Sequence, residues 1–581
     1  MSSHSLVATI LSLIAAHWLL TTTTLLTLYL IRNYFYNGLN KYPGPFLASL
    51  TDWWRVWDVY GQRPERTHLA LHAKHGDVVR LGPNTLSFAD PAALKSIYGL
   101  NKGFVKVRPN LERHHNSQPV NPRLTKQSDF YIVQQSVVKG HRFASLFSTT
   151  SESFHAQFRR CVNSAFAMSA LVQYEPFVDN TTKLFLSQTE RLFAATPKAA
   201  VCDFTTWLQF YAFDVIGEIT YSKRHGFLER NEDVEGIVKY LGNLFLYVAP
   251  VGQLPFLDLL FLKNPIYLKL SQWGLFDSTF PVAKFARARM AERLIPELNN
   301  TDTKSTSSVL PLATQPEKKL QQGKSPDLLS KFIAASETRP EFMTSDLVQT
   351  MAVSMAFAGS ETTAISLSST FYYLLRNPAC LARLRAEIDD FGRQGGFADN
   401  ESGLVAFSEA QKLPYLHACV QEAFRLHPAP GLPMERIVPS QGAEIAGHFV
   451  KGGTIVGCSA WVIHRRPEIF GADVEVYRPE RWLPQEGADP QAEAARIKEM
   501  TGMMFQFGMG SRTCIGKNIS LLEIYKVVPS LLRRFDIEFD DPRKEWKLVN
   551  AWFVKQVDFM TRFSKREIVQ PEVPISKKAA H

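Results

Sequence analysis

The feature that most constrains the fold is one long helical pattern in the middle of the chain. Its start signal is "TSD" at residues 344–346, and its stop signal is "NP" at residues 377–378. A helix between these signals is about 50 Å long at 1.5 Å per residue, which is enough to cross a whole domain. With 581 residues, 45% of them hydrophobic, the chain can bury such a helix in a large core. We therefore predict a folded protein of one or two large domains.

The first 31 residues predict a membrane anchor. Residues 6–31, "LVATILSLIAAHWLLTTTTLLTLYLI", carry no formal charge and as a helix exceed a hydrocarbon core of about 30 Å. The alternatives are a buried core helix and a cleaved signal peptide, although the first five residues lack the Lys or Arg that a signal peptide begins with. Because Arg32 and Lys41 follow the span, the positive-inside rule places the rest of the chain on the cytosolic side.

The remaining chain is predicted to be mainly α with a small β portion. Residues 32–45, ending in "YPGP", form a stiff hinge, and residues 46–563 form the globular body. Residues 299–325 are a polar exposed connection, and residues 564–581 are a polar tail. The apolar stretch 241–262 is interrupted by Pro250, Pro255 and Asp258, which favours a buried or membrane-grazing loop over a second membrane span.

Charge and cysteine content exclude several classes of protein. The net charge of +10 is spread along the chain and no aromatic and basic motif accompanies it, so we expect no nucleic-acid partner. An anionic membrane surface or an acidic protein partner suits this charge better. The six cysteines form no CxxC pair, which argues against a disulfide framework and a structural zinc site.

One cysteine, Cys514, is presented unusually, within "FQFGMGSRTCIGKN" at residues 505–518. A dinucleotide-binding GxGxxG is excluded because Thr513 replaces the third glycine and no βαβ unit surrounds it. Helical spacing downstream places Cys514 at a helix start, where backbone N–H groups stabilise a thiolate. Gly510 and Gly516 leave room for a flat, bulky group beside the sulfur. The alternative is a buried inert cysteine, which is our interpretation of the other five.

These residues carry a resemblance to a known family. Phe507, Gly510, Arg512, Cys514 and Gly516 match F-x-x-G-x-R-x-C-x-G, which resembles the haem-ligand loop of the cytochrome P450 superfamily. Three further segments resemble family motifs in the family's order: "AGSETT" at residues 358–363, the E-x-x-R pair, and "YRPERW" at residues 477–482. The resemblance covers essentially everything after the anchor. It is closest to microsomal members, and among them to the pisatin-demethylase-like members of fungal secondary metabolism.

The resemblance implies a cytochrome P450 fold and a set of site residues. Cys514 would be the axial ligand of the iron in haem b, and Glu361, Thr362 and Thr363 would serve oxygen activation. From the residues alone, Thr362 can bond an oxygen ligand or bend the helix through its i−4 carbonyl, and Glu361 can pass protons inward. A satisfied polar kink in a core helix is the alternative.

Two further groups of residues follow from the resemblance. Haem propionates need cationic partners, and we expect these to be Arg512, then Arg159, His155 and Arg436; His155 stands where the family often has tryptophan. Glu422 and Arg425 lie three residues apart on one helix face, where they can pair. With Arg481 they resemble the family's buried network behind the cysteine loop, so their predicted role is structural.

A segment of 21 residues, 107–127, looks out of place. Without it the chain reads "GFVKSDFYIV", as the pisatin-demethylase-like relatives do. Codons for its ends can form a fungal intron start, a branch signal and an intron end, so we hypothesise a retained in-frame intron. A natural polar insertion is the alternative, because surface loops tolerate added length.

The sequence therefore predicts a membrane-anchored haem-thiolate monooxygenase on the cytosolic face of the endoplasmic reticulum. Electrons would come from NADPH through a separate cytochrome P450 reductase, and cytochrome b5 is a second candidate donor. The positive charge of Lys517, near the cysteine, would attract an acidic protein of this kind. The expected substrate is a lipophilic small molecule, terpenoid or polyketide-like. Two rival hypotheses are an isomerase or dehydratase of the same fold that needs no O2, and a non-catalytic haem-binding protein.

Overall fold

The protein was analysed as a computed structural model, which describes residues 12, 16–100, 102–106, 130–195, 200–298, 327–399 and 401–566. The proposed intron at residues 107–127 and the polar connection at residues 299–325 lie outside these ranges. The intron stays a prediction that transcript sequencing tests: a mature message that retains these codons contradicts it.

Helices dominate the described chain. Those before residue 300 are α1 (Trp18–Tyr34), α2 (Phe46–Leu50), α3 (Trp53–Tyr60), α4 (Pro64–His75), α5 (Pro91–Tyr98), α6 (Phe130–Val133), α7 (Glu152–Val162), α8 (Met168–Thr189), α9 (Phe204–Tyr221), α10 (Phe227–Arg230), α11 (Ile237–Gly252), α12 (Pro265–Gln272) and α13 (Pro281–Leu298). Those after it are α14 (Leu328–Thr338), α15 (Ser345–Arg376), α16 (Pro378–Arg393), α17 (Phe407–Ala410), α18 (Pro414–Leu426), α19 (Ala460–Ile463), α20 (Pro467–Phe470), α21 (Pro490–Met503) and α22 (Lys517–Arg534). Short 3-10 turns include Pro255–Leu259, Pro479–Trp482 and Gly510–Arg512.

The strands form small, separate sheets. They are β1 (Val78–Gly82), β2 (Thr85–Phe88), β3 (Ser136–Val138), β4 (His141–Phe143), β5 (Cys202–Asp203), β6 (Arg436–Ile437), β7 (Ala443–Ile445), β8 (His448–Val450), β9 (Ile455–Gly457), β10 (Phe535–Phe539), β11 (Lys547–Ala551), β12 (Phe553–Val557) and β13 (Met560–Lys565). One sheet has the order β1-β2-β9-β6 and another β10-β13-β5, while β3-β4, β7-β8 and β11-β12 are hairpins. The prediction of a mainly α protein with a small β portion is confirmed.

The long helix predicted from the start and stop signals is α15, which spans 32 residues between Thr344 and Asn377 as caps. Asp346 in its first turn and Arg376 in its last turn complement the helix dipole. Its second half is buried on all sides, and it packs against α9, α13, α14, α18 and α22. A buried helix that carries Ser and Thr must satisfy their hydroxyl groups. Several donate to the carbonyl one turn back, as Ser366 does to Thr362 and Thr370 does to Ser366.

The structure describes only part of the predicted membrane anchor at residues 1–31. Residues Trp18–Tyr34 form α1, whose leucine side chains are largely exposed. Among the residues that the structure describes, no helix combines the length and apolarity needed to cross a membrane. Most of residues 6–15 lie outside the described ranges.

Two boundary predictions are wrong. The stretch 241–262 is not a loop throughout, because α11 continues to Gly252 with Pro250 inside its last turn. A proline so close to a helix end removes one hydrogen bond without ending the helix earlier. The polar tail begins later than residue 564, because β13 continues to Lys565, which pairs with Phe535. Arg566 then binds Asp389 at 2.9 Å.

Candidate active site

The cysteine loop is a tight, internally bonded turn between α21 and α22. The Cys514 N–H donates to the Phe507 carbonyl at 2.8 Å, and the Gly508 N–H donates to the Phe505 carbonyl at 2.9 Å. Gly510 has a φ of +70°, and a Cβ there would lie 1.9 Å from the Tyr98 carbonyl oxygen. A glycine is therefore required at position 510, both by its backbone conformation and by its contact with α5.

The surroundings of the Cys514 sulfur shift the pKa of its thiol in both directions. The protein packed around the loop removes water from the thiol and raises its pKa, although one side of the Cys514 side chain stays open, whereas the N–H groups of Gly516 and Lys517 and the positive charge of Arg159 lower the pKa. Helix α22 begins at Lys517, three residues after the cysteine, as the helical spacing predicted. The Cys514 side chain is exposed, unlike the buried Cys202, Cys419 and Cys458. This cysteine is therefore available for ligation, whereas those three are packing residues.

The "AGSETT" segment lies beside this loop in the middle of α15. The Thr363 hydroxyl donates to the Ser520 hydroxyl of α22 at 3.1 Å, which joins the two helices near the cysteine. Thr362 donates to the Ala358 carbonyl at 2.9 Å, the i−4 bond that its position allows. Ala358 is exposed although the helix around it is buried. The helix surface at Ala358 and Thr362 is thus not fully covered by other side chains.

Glu361 is buried, and its carboxyl contacts a strand far away in sequence. Its Oε1 lies 3.7 Å from the Lys555 ammonium nitrogen of β12. Burial raises the pKa of Glu361, and the charge of Lys555 lowers it in part. This contact has no signal in the local sequence, and Lys555 was not predicted as a site residue.

Four buried basic residues are grouped near the cysteine loop: Lys106, His155, Arg436 and Arg512. Three of them were predicted, and Lys106 was missed. The Lys106 ammonium group donates to the Phe147 carbonyl at 2.6 Å and lies 3.8 Å from the centre of the Tyr131 ring. Burial lowers its pKa well below the usual value, and the charges of Arg512 and Arg436 lower it further. Its position at the edge of the proposed intron is the one sequence feature that could have drawn attention to it.

The same electrostatic coupling is seen at His155. Burial, then the charges of Arg512 and Lys106, lower the pKa of His155 to about 2. Arg512 itself binds the Glu152 carboxylate at 2.7 Å and the Thr149 carbonyl at 3.1 Å. The basic groups in the cluster thus disfavour one another's charged forms, and an anionic group bound among them would reverse that effect. The cluster fits the propionates of a haem.

Arg159 is placed differently from the other predicted cations. Its guanidinium group donates to the carbonyls of Ser511 at 3.2 Å and Thr513 at 2.7 Å. It therefore fastens α7 to the cysteine loop, and its charge acts on the Cys514 sulfur.

The predicted Glu422, Arg425 and Arg481 come together in a buried network. Arg425 binds both oxygens of Glu422, at 2.9 and 2.8 Å, and the Arg481 Nε binds Oε1 at 2.9 Å. The indole N–H of Trp482 donates to Oε2 at 2.9 Å. Burial alone would raise the pKa of Glu422, but the hydrogen bonds and charges of the two arginines outweigh it and lower the pKa.

A histidine that sequence reasoning missed connects this network to the cysteine loop. His464 Nδ1 lies 3.2 Å from the Arg425 carbonyl, and its Nε2 accepts the Phe505 N–H at 2.7 Å. These two bonds require the neutral tautomer with the proton on Nδ1. Burial, aided by the charge of Arg425, lowers the pKa of His464 to about 3, which keeps Nε2 free to accept. The network therefore positions the start of the cysteine loop through one imidazole ring.

The comparisons with known proteins agree with this geometry. A family model described as Cytochrome P450 matches residues 129–561. The chain is 39% identical over 544 residues to the cytochrome P450 monooxygenase cicH of Emericella nidulans, covering 93% of this chain and 97% of that one. It is 37% identical over 508 residues to a cytochrome P450 monooxygenase of Aspergillus terreus, covering 87% and 92%. It is 32% identical over 534 residues to pkfB, another monooxygenase of Emericella nidulans, covering 91% and 92%.

The chain belongs to the cytochrome P450 family. It is a haem-dependent oxidoreductase of the monooxygenase type, as the sequence motifs predicted.

Substitution of Gly510 by alanine tests the packing of the cysteine loop. Gly510→Ala must shift the loop or α5, because the new Cβ meets a backbone carbonyl oxygen, and we expect it to lower the free energy of unfolding by about 2 kcal/mol or more. Urea unfolding and the haem content of the purified protein measure the effect. Gly502→Ala, in α21 with open space around its Cβ, is the matched control and should be neutral or slightly stabilising. Equal stability of the two variants would contradict this packing.

The lowered pKa of His464 leads us to expect that the stability of the folded protein depends on pH. Its pKa is about 3 in the folded protein and about 6.5 in the unfolded chain, so between these values the unfolded chain binds more protons. Stability therefore falls on acidification in this window, by up to about 1.4 kcal/mol per pH unit from this residue alone. His464→Gln should make the slope of unfolding free energy against pH shallower by up to one proton. Identical slopes in the two proteins would show that His464 is not held neutral.

Proposed function

We propose that this chain binds haem b through the Cys514 thiolate and uses it to oxidise a lipophilic small molecule in fungal secondary metabolism. The observation that carries the proposal is the exposed Cys514 at the start of α22, beside the open part of α15 and close to a buried cation cluster. Ligated by a cysteine thiolate, haem supplies activation of dioxygen and transfer of one of its oxygen atoms to a substrate.

The residues of the chain hold the cofactor in defined ways. Arg512, Arg436, His155 and Lys106 would bind the propionates, since all four are buried in one electrostatically coupled cluster. Gly516 has no side chain beside the sulfur, where a Cβ would lie 4.0 Å from Sγ, and so would leave that side open to the porphyrin. The buried Glu422 network keeps the cysteine loop in place through His464.

Proton supply is assigned to α15. Glu361 is a buried carboxyl with one oxygen free of any hydrogen bond, and Thr362 follows it directly. A carboxyl whose pKa is raised by burial is suited to accept and release a proton near neutral pH. Thr363 is not assigned to proton transfer, because its hydroxyl is bonded to the Ser520 hydroxyl of α22. We assign Thr362 and Glu361 to proton transfer and Thr363 to holding the helices together.

We place the substrate region at a group of aromatic side chains beside Ala358. The Phe245 ring of α11 lies 5.0 Å from the Phe357 ring, one residue before Ala358, and 5.2 Å from the Phe553 ring of β12. A nearby cleft is lined mainly by apolar side chains, among them Trp54, Phe130, Leu432 and Trp552. Such walls favour a lipophilic substrate over a charged one.

Electron supply from NADPH through a separate cytochrome P450 reductase is supported by the family and by the charge of the chain. Lys517 is exposed at the start of α22, next to the cysteine loop, and the whole chain has a net charge of +10. An acidic reductase, or cytochrome b5, would be attracted to such a surface.

Attachment to the cytosolic face of the endoplasmic reticulum membrane is supported by exposed apolar side chains. They are concentrated in α1, in α2 and α3, and in the segment from residue 256 to residue 275. These segments are linked by packing, since α2 contacts both α1 and α3, and α3 contacts α11, which leads into that segment. Large exposed apolar areas mark sites of membrane or protein contact.

A cysteine substitution tests the cofactor assignment. Cys514→Ser should abolish the red-shifted Soret band that thiolate ligation gives to the ferrous carbon monoxide complex, because a serine hydroxyl cannot replace the thiolate. Cys161→Ser, at a half-buried cysteine, is the matched control and should keep the band. The unsubstituted protein, supplied with haem and folded, must show the band. Its absence would refute the proposed function.

Dependence on O2 and NADPH separates the proposal from its rival of the same fold. With the reductase added, product formation should require both O2 and NADPH and should fall at least about tenfold in Thr362→Ala. An isomerase or dehydratase would turn over without either. A non-catalytic haem-binding protein would give no product from any of a broad panel of apolar compounds.

A vesicle flotation assay tests the membrane face. A chain lacking residues 1–31 keeps Asn33 and Tyr34, whose carbonyls accept hydrogen bonds from Arg80, so α1 is not removed completely. We expect it to float with anionic phospholipid vesicles, and to be released when Phe256, Phe261 and Trp273 are changed to serine. Phe449→Ser, an equally exposed ring elsewhere, is the control. Release by the control, or retention of the triple variant, would contradict this surface.

A further inference from the structure

Strand β12 is fixed against α15 by a hydrogen bond that determines where its side chains lie. The Gln556 amide donates to the Ile365 carbonyl of α15 at 3.0 Å, and both Gln556 and Val554 are buried. Because side chains alternate along a strand, Phe553 and Lys555 share the opposite face. Phe553 on that face contacts Phe245 of the aromatic region. Lys555 therefore projects from the same face of β12 as the ring that contacts the predicted substrate region.

The Lys555 ammonium group joins α9 to α15. It donates to the Gln209 side-chain oxygen of α9 at 2.8 Å and lies 3.7 Å from Oε1 of Glu361. Gln209 is buried and neutral, so it orients the ammonium without competing for its charge. Within the described residues, Lys555 is the charged group whose field acts on Glu361.

The side chains of Lys555 and Glu361 differ in how much of each is exposed to solvent. The Glu361 side chain is 6% exposed, whereas that of Lys555 is 25% exposed. Lys555 is therefore the more solvent-accessible side chain of the pair. The second carboxyl oxygen of Glu361, Oε2, has no hydrogen-bond partner. The pair thus has one end at solvent and a free acceptor inside the protein.

We propose that Lys555 is a positioning residue for Glu361, and that the Lys555–Glu361 pair is the entrance through which protons reach Thr362. This inference rests on the proposed monooxygenase function. In that reaction one oxygen atom of O2 enters the substrate and the other leaves as water, which consumes two protons together with the two electrons from the reductase. A hydrated proton from the solvent beside Lys555 adds to the Glu361 carboxylate and leaves a water molecule behind. From Glu361 the proton would pass to the Thr362 hydroxyl oxygen, and Thr362 would release its own hydroxyl proton towards the site where O2 is reduced.

Lys555 has two roles in this route. Its charge favours the carboxylate form of Glu361 between proton transfers, against the effect of burial, which favours the neutral acid. Its ammonium group also holds the carboxyl towards the solvent side, where it is protonated. Without this charge, Glu361 would retain its proton up to a higher pH and release it less readily.

The titration of Glu361 in the complete protein tests the positioning role without any substrate. The infrared band of the protonated Glu361 carboxyl is assigned by its loss in Glu361→Gln and then followed against pH. Lys555→Met should move its midpoint upward by about one to three pH units, because an opposite charge at this distance shifts a pKa by that amount. Lys555→Arg should restore the lower midpoint. Lys547→Met, on the exposed neighbouring strand β11, is the matched control and should leave the midpoint unchanged.

Turnover tests the proton route. With any oxidised substrate, Lys555→Met should lower kcat about tenfold or more, raise its solvent isotope effect and leave KM unchanged, while Lys555→Arg recovers most of kcat. An unmoved midpoint in Lys555→Met, or a kcat equal to that of the unsubstituted enzyme, would overturn the inference. Failure of the proposed function is distinct: there the protein would not oxidise any compound with NADPH and O2, whereas the infrared midpoint would still shift.

Discussion

The site depends on the pairing of one fully buried carboxylate, Glu422, with two buried arginines. A buried charge that loses a partner costs about 3–5 kcal/mol, so Glu422, Arg425 and Arg481 stabilise one another only as a complete set. The arginines also donate to backbone carbonyls of the segment 464–476, which brings distant parts of the chain together. His464, which is bonded to this network, also accepts a hydrogen bond from the Phe505 N–H. The network therefore determines where the cysteine loop begins. A defect here would displace the cysteine loop, because His464 connects the two.

Helix α15 provides the second side of the site. Its burial on all faces requires that its hydroxyl groups bond internally, and this makes the polar segment around Thr362 compatible with a core helix. The exceptions are the groups that face other elements: Thr363 towards α22, and Glu361 towards Lys555. Helix α15 therefore carries the Glu361 carboxyl and the Thr363 hydroxyl, and the neighbouring Lys555 and α22 determine their orientation.

Much of the site was predictable because its signals are local. The cysteine loop, the i, i+3 pair Glu422 and Arg425, and the capped long helix are each contained in a short stretch of sequence. The cations were partly predictable: Arg512, His155 and Arg436 lie in or near recognisable segments, and all three are found in one buried cluster. Lys106, His464 and Lys555 were missed, because a lysine or histidine in a short strand or loop looks the same whether it is buried or solvated.

The sequence by itself determined the mainly α class, the position and length of α15, the candidate ligand cysteine and the family. These depend on helix periodicity, capping residues and fixed short spacings, which are properties of neighbouring residues. Only the tertiary structure decided that α11 continues through Pro250, that Arg159 fastens the cysteine loop, and that Lys555 lies beside Glu361. The physical reason is that burial and electrostatic field depend on groups hundreds of residues apart, which become neighbours only when the helices and small sheets pack.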